Sequence, residues 1–406
     1  MATVIYFQLR SSPNEMNFGS VIWAAIQPIL SVSILVALGI TLKRRNIYSQ
    51  DLMKSLGLFA LNYLSPCLLM TKTAVSITIR NIDQYLSIML ISFIYQVVSF
   101  IVAFLIFYST RKYLTPTFRK SLLSAISFGN VNDFPIAILL IIGNSPPFIN
   151  GDADRGVAFI SAILLVYCPF LFSLGIYWIE SDYKSLRIIE EHPEADDEVA
   201  PLRIEEPLTE QPQRLKLWKH PLLKLIFYNP NIIGIVIGLI LGIVQPLNDV
   251  IVSPSGPLFF IFNTLKTLGN AYIPIGLTLF GANLIYADFS IFKRFFGSTV
   301  ESTMPSTIYI PIFAAVVTRL VLFPILGISF VTYLTSIGYI DPANKILQFV
   351  LMTPMMMPMA QLNLILSQIY HPKGKPQEMA TTVAICYCFS PISLMISLSF
   401  ALYSLS

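Results

Sequence analysis

Ionisable side chains are what this chain has least of. Charged residues make up 12% of its 406 positions against 55% hydrophobic, and the mean hydropathy is +0.70. A soluble domain carries roughly 25% charged residues, so the composition excludes an ordinary globular protein and indicates an integral membrane protein. Histidine is scarcer still, with only His192, His220 and His371, all in polar connecting stretches. No His-Glu-x-x-His, Gly-x-Ser-x-Gly or intramembrane pair of acids occurs, which removes the common hydrolytic constellations. No glycine-rich phosphate loop is present either, so neither an enzyme nor a nucleotide-driven pump is indicated. The four cysteines, Cys67, Cys168, Cys386 and Cys388, lie in apolar runs, where a thiol acts as a small hydrophobe. Cys386-Tyr387-Cys388 lacks the spacing of a metal knuckle, so no metal and no cofactor is implied. The net charge of +4 gives no reason to expect a nucleic-acid partner.

What the chain has instead is length of apolar sequence. Charge-free runs of the roughly 20 residues that cross a bilayer core occur at Met16 to Leu42, Tyr85 to Thr110, Gly156 to Ile179, Leu225 to Leu247, Ile346 to Tyr370 and Met379 to Ser406. The first is too long for a signal-peptide core and reads as a retained span. Four more runs carry interruptions: Ser55 to Thr71, Leu122 to Ile142, Thr267 to Ala287 and Ser302 to about Leu334. The fold class expected is therefore an all-α membrane protein of ten transmembrane helices. Between the fifth and sixth spans lies an acidic, proline-containing stretch, with Glu190, Glu191, Glu194, Asp196, Asp197 and Glu198 among its acids. It cannot bury enough apolar surface to fold alone, so it reads as a mostly disordered loop. The domains are then residues 1–179, a first five-span repeat; 180–225, the loop; and 226–406, a second five-span repeat. An odd number of spans per half makes the second enter from the opposite side, as an inverted repeat.

The most informative motif is Gly129-Asn130-Val131-Asn132-Asp133-Phe134-Pro135, polar and helix-breaking inside an apolar span. Hydrocarbon offers no partner to free N–H and C=O groups, so broken backbone survives there only inside protein or against a cavity. The ninth span carries Pro354-Met355-Met356-Met357-Pro358-Met359-Ala360-Gln361 at the corresponding place, and paired breaks point to a binding site. Pro66 and Pro274 also correspond between the halves; alone, each is open to reading as a simple kink. If the second halves of spans four and nine begin near Pro135 and Pro358, two helix N-termini meet near the midplane. Their partial positive charge and unpaired N–H groups suit a carboxylate, with Asn130, Asn132 and Gln361 as neutral partners. A small amphipathic organic anion is the expected ligand, and Pro354 belongs to the same candidate site. Asp133 keeps three readings: a helix cap, a proton-titrating carboxyl or a cation ligand. Arg319, inside the eighth span, is either a paired structural charge or a counter-charge in a transport path. The methionine run reads as adaptable packing more cheaply than as a copper site.

Basic residues set the orientation. Lys43, Arg44, Arg45 and Lys54, then Arg111, Lys112, Arg119 and Lys120, then Lys293 and Arg294, then Lys373 and Lys375 fall in loops on one side. The charge rule places those loops and the acidic one in the cytosol and both termini across the membrane.

Phe128 to Pro135 resembles the Gly-Asn-x-x-Asn-x-Pro crossing of the auxin efflux carriers and, more closely, of their PIN-like relatives, including fungal members. Asn229-Pro230-Asn231 and the stretch from Pro274 to Gly281-Ala282-Asn283-Leu284 are similar to further signatures of that family, in the same order. The resemblance covers nearly the whole chain outside the acidic loop. It implies the ten-span fold shared with bile-acid sodium symporters, with spans four and nine crossing and moving as an elevator. It also implies a substrate site at Asn130, Asn132, Pro135 and Pro358, a homodimer through scaffold spans and, for a short-loop member, the endoplasmic reticulum membrane, with the plasma membrane as alternative. Asp133 and the methionine-rich ninth span depart from the family pattern, so the substrate need not be auxin. The functions expected are a carrier of small organic anions, a sodium-coupled symporter, or a membrane receptor or scaffold acting through the acidic loop.

Overall fold

The computed structural model describes residues 18–76, 82–143, 147–191, 228–288, 290 and 304–405, and every regular element among them is a helix. The acidic connection beyond Glu191 and the basic pair Lys293 and Arg294 lie outside the described residues. Helix α1 (Phe18–Arg44) places Lys43 and Arg44 in its last turn, where cations meet the negative end of the helix dipole. It is closed off by Asn46 at φ 58°, a left-handed conformation that asparagine tolerates. Helix α2 (Gln50–Phe59) begins on Ser49, whose hydroxyl accepts the Leu52 N–H at 3.2 Å. It continues through a wide π-type turn, Ala60–Leu64, into α3 (Ser65–Ser76). Pro66 therefore falls in the first turn after a widening, where a missing N–H costs least.

Helix α4 (Ile82–Thr110) follows, then the pair α5 (Arg119–Ser127) and α6 (Asp133–Ile142), then α7 (Asp152–Phe170), which passes through a second π-type turn, Leu171–Gly175, into α8 (Ile176–Glu191). The second half contains α9 (Pro230–Ile243), α10 (Phe259–Asn270), α11 (Tyr272–Asn283), α12 (Tyr309–Val317) and α13 (Phe323–Ser336), the last two joined by a π-type turn, Thr318–Leu322. It ends with α14 (Lys345–Met356), α15 (Leu362–Tyr370) and α16 (Gln377–Leu405). Among the described residues six helical stretches are long and apolar enough to cross a bilayer: Gln50–Val75, Tyr85–Tyr113, Arg155–Lys184, Phe259–Tyr286, Ser306–Ser336 and Gln377–Leu405. The pair Pro230–Ile243 and Gln245–Val252, bent by 97°, makes a seventh when counted as one span, and the charge-free run Leu225 to Leu247 is broken near its end.

Alongside a largely apolar interior, α4 turns polar side chains inward and keeps its outward side apolar. On α4, Leu86, Leu90, Ile101 and Leu105 are exposed, while Ser92, Gln96 and Ser99 are buried. That reverses the pattern of a soluble amphipathic helix and suits a lipid exterior.

The Asn-Pro-Asn sequence at the start of α9 has a specific task. Asn229 Oδ1 caps the helix by accepting the Asn231 N–H, with Pro230 at the first helical position. The two side-chain amides then reach outward: Asn229 Nδ2 donates to the Phe172 carbonyl at 3.0 Å, and Asn231 Nδ2 to that of Leu61 at 3.1 Å. Both carbonyls belong to π-type turns, so one tripeptide ties two locally irregular helices to a third.

Several helix pairs approach closely through glycine, Gly269 of α10 on the Leu68 backbone of α3 among them. Gly234 and Gly238 of α9 lie against the backbone of Pro66 and Met70 in α3; Gly39 of α1 and Gly281 of α11 lie against the Thr278 and Val36 carbonyls of each other's helix. A Cβ at either of the last two positions falls well inside the van der Waals shell of the opposing carbonyl. Gly281→Val is expected to destabilise the fold by about 2 kcal/mol, read as a lower melting midpoint of the detergent-solubilised protein. A variant melting with the wild type would show that α1 and α11 separate at no cost.

Candidate functional site

Both interrupted spans break, and the breaks meet. The first break leaves α5 at Ser127 in an extended conformation at Phe128 (φ −111°, ψ 117°), and the second leaves α14 through Met357 (φ −78°, ψ 147°). The connections run antiparallel, with Gly129 opposite Met359. Asn130 N donates to the Pro358 carbonyl at 2.8 Å, and Ala360 N to the Phe128 carbonyl at 2.9 Å. Each break thus satisfies backbone groups that the other exposes, which is the condition for non-helical chain deep in a membrane.

Side chains complete the accounting. The Tyr167 hydroxyl, from α7, donates to the Gly129 carbonyl. Asn130 Nδ2 donates to the Tyr387 hydroxyl of α16 at 3.2 Å. Ser124 and Asn363 bond reciprocally between α5 and α15: Ser124 Oγ donates to Asn363 Oδ1 at 2.9 Å, and Asn363 Nδ2 to the Ser124 carbonyl at 3.3 Å.

Arg319 is 2% exposed and lies against the other side of the crossing. Its Nε donates to the Met357 carbonyl at 3.0 Å, Nη1 to that of Ile126 at 3.4 Å and Nη2 to that of Pro354 at 3.2 Å, with the Phe323 ring centroid 5.2 Å from its Cζ. These carbonyls close the C-terminal ends of α5 and α14, so the guanidinium meets the negative ends of two helix dipoles at once. Among the described residues no carboxylate stands within ion-pair distance of it, the ion pairs there being Arg155 with Asp152 and Lys184 with Glu180. Gly129 is dictated by this arrangement, because a Cβ there lands on Nη2 itself.

The two faces of the crossing differ in sign. A cavity of about 70 Å³ is lined by Asn130 and Asn132 at the start of α6 and by Ala360, Gln361 and Leu362 at the start of α15. Both N-terminal, positive ends therefore open into one space. Leu68 and Leu69 of α3, with Leu164, Leu171 and Phe172, give it apolar walls, and Ser65, Tyr167 and Tyr272 add hydroxyls. On the opposite face a smaller cavity of about 30 Å³ holds Ser92, Gln96, Ser99 and Ser127 beside Arg319.

The structure places the residues singled out from the sequence unevenly. Asn130, Asn132 and Gln361 come together on the larger cavity. Pro135 is the third residue of α6 and buried, close to the expected helix start. Pro358 is not at a helix start: α15 begins at Leu362 with Gln361 as its cap, because the Pro358 carbonyl is engaged in the pairing and the chain needs three more residues to turn. Pro354 lies within α14 and lines the smaller cavity on the Arg319 side. Asp133 is the first residue of α6 and Asn132 holds the cap position; the Asp133 side chain lies outside the described residues. Tyr167, Tyr387, Ser65 and Tyr272 carried no signal in the sequence, since a tyrosine or serine in an apolar span looks the same whether it serves a break or the core. Met352, Met355, Met356, Met357 and Met359 are all buried, consistent with flexible side chains filling an irregular segment.

A helical membrane body with paired polar breaks at its centre defines a multi-pass transport protein. A family model described as membrane transport protein matches residues 24–398, and the chain belongs to that family, the auxin efflux carriers. It is 24% identical over 415 residues to PIN-LIKES 6 of Arabidopsis thaliana, covering 91% of this chain and 90% of that protein. To PIN-LIKES 7 of the same plant it is 22% identical over 387 residues, 87% and 91% of the two chains. An uncharacterized transporter of Saccharomyces cerevisiae is 26% identical over 163 residues, 40% of this chain and 28% of its own length.

Gly129→Ala is expected to displace the Arg319 side chain and cost about 3 kcal/mol or more. Gly276→Ala is the control, since its Cβ meets only Ile365 Cδ1 at 4.0 Å. Comparison of the two melting midpoints with the wild type checks it; equal midpoints for Gly129→Ala and Gly276→Ala would show that the guanidinium is not fixed where described.

Proposed function

We propose that the protein is a secondary carrier of small amphipathic organic anions, indole-like and other aromatic carboxylates among them, working by elevator-type alternating access. The observation that carries the reading is that the starts of α6 and α15 line the same cavity. Two helix N-termini and the amides of Asn130, Asn132 and Gln361 offer donors to a carboxylate, while Leu68, Leu69 and Phe172 take an apolar body. Among the described residues no cationic side chain lines that cavity, so the carboxylate is held by dipoles and neutral amides, which suits a ligand that must leave again.

The ten-span inverted repeat is part of the same reading. Counting α1, the bent pair and the two broken pairs with the six long helices gives the ten spans. Two of the close glycine pairings support it, because α1 packs on the second part of the seventh span and α9 on the second part of the second. Those four helices form the static scaffold of the proposal, and the crossing with α4, α7, α12, α13 and α16 forms the moving body. The endoplasmic reticulum membrane is the proposed location, with the acidic loop in the cytosol.

Uptake of radiolabelled indole-3-acetate and benzoate into proteoliposomes tests the reading. Asn132→Ala is expected to lower the initial rate roughly tenfold or more, the loss of one or two good hydrogen bonds to a charged group, with little change in melting midpoint. Unchanged transport would count heavily against the site. Deleting residues 192–215 is expected to leave at least half of the flux; a phenotype lost while flux persists would favour a receptor or scaffold.

A further inference from the structure

Half-helix C-termini in broken spans are where transporters commonly coordinate an inorganic cation, through backbone carbonyls left without an N–H donor. Here the carbonyls of Ile126, Pro354 and Met357 form such a cage, with the Phe323 ring on one side. The cage holds the guanidinium of Arg319. We propose that Arg319 is a tethered cation occupying a monovalent-cation site, and that it relieves the transport cycle of any need for an inorganic cation at the crossing. This rests on the carrier reading above.

The charges balance. Two helix C-termini present about half a negative charge each, and one guanidinium supplies a single positive charge. A free cation added to the occupied cage would leave one charge uncompensated in low dielectric, which is strongly unfavourable. The geometry agrees with replacement of an ion: three donors of one planar group meet three carbonyls from two separate helix ends, a pattern resembling ion coordination more than ordinary side-chain packing. Beside the cage, Gln96 Nε2 and Ser127 Oγ are buried with no hydrogen-bond partner among the described residues, and both residues line the 30 Å³ cavity. That space admits one or two waters, so the guanidinium keeps partial hydration without yielding its carbonyls.

A charge fixed to the chain and a charge that exchanges predict different behaviour on truncation. Arg319→Ala is expected to lower the melting midpoint by roughly 5 °C or more and to reduce uptake to background. Guanidinium chloride at about 20 mM should restore at least half of the lost midpoint by binding the emptied cage. Sodium or potassium chloride should restore part of it, and choline chloride none. Wild-type protein should gain nothing from these additions, and its uptake should be equal within about twofold in sodium and choline buffers.

An Arg319→Ala variant that melts and transports like the wild type overturns the proposal. So does a destabilised variant that neither guanidinium, sodium nor potassium restores, because the arginine would then be ordinary packing. A wild-type flux that collapses in choline overturns it too. Should Arg319→Ala yield no folded protein, Arg319→Lys decides: an ammonium in the cage should retain at least a tenth of the flux with no added cation, and loss to background counts against the idea. The melting arms use no substrate. They judge the cage even if no carboxylate is transported, so failure of the carrier reading and failure of this inference are distinguishable.

Discussion

Everything at the centre of this protein depends on two backbone hydrogen bonds exchanged between chain segments some 230 residues apart, Asn130 to Pro358 and Ala360 to Phe128. A helix interrupted in hydrocarbon exposes peptide groups at a cost of several kcal/mol each. One break alone would need solvent or side chains for all of them. Two breaks placed face to face solve most of the problem for each other, and Tyr167 and Arg319 take up carbonyls that remain. The two helix starts line the larger cavity, and in the proposed carrier they serve the ligand.

The pairing also sorts charge. Because the two connections run antiparallel, both helix starts emerge on one side and both helix ends on the other. A cavity with apolar walls and amide donors lies on the positive side, and a buried cation lies on the negative side. In the proposed carrier, selectivity for an anion follows from chain direction more than from any charged side chain in the cavity.

Much of this was legible in the sequence, for a physical reason. Spans are long and apolar, and a helix breaker inside one has few causes; the polar cluster at Gly129 to Pro135 and the doubled proline at Pro354 and Pro358 therefore stood out. The side chains that serve the breaks did not. Tyr167 and Tyr387 differ from core tyrosines only in what they touch, and the exact start of α15 depended on which carbonyl the pairing consumed, a fact of register invisible in composition. Arg319 was conspicuous as a charge in a span, but its partners are main-chain oxygens from two distant segments, and no residue type marks those. The tripeptide Asn229-Pro230-Asn231 was recognisable as a motif, while its partners, the carbonyls of two π-type turns, were not, because nothing local in Ala60–Leu64 or Leu171–Gly175 announces a widened turn.

The single arginine at the crossing has an implication for how far the two halves of the chain can resemble one another. A socket built jointly from two helix ends has room for one tenant, so whichever half supplies it deprives the other of the option. Gln96 and its flanking serines on α4 line the same small cavity as Arg319 and are neutral. A second arginine from that helix would crowd the socket and leave an unbalanced charge in oil. However closely the backbones of the halves correspond, their sequences must therefore diverge at this point.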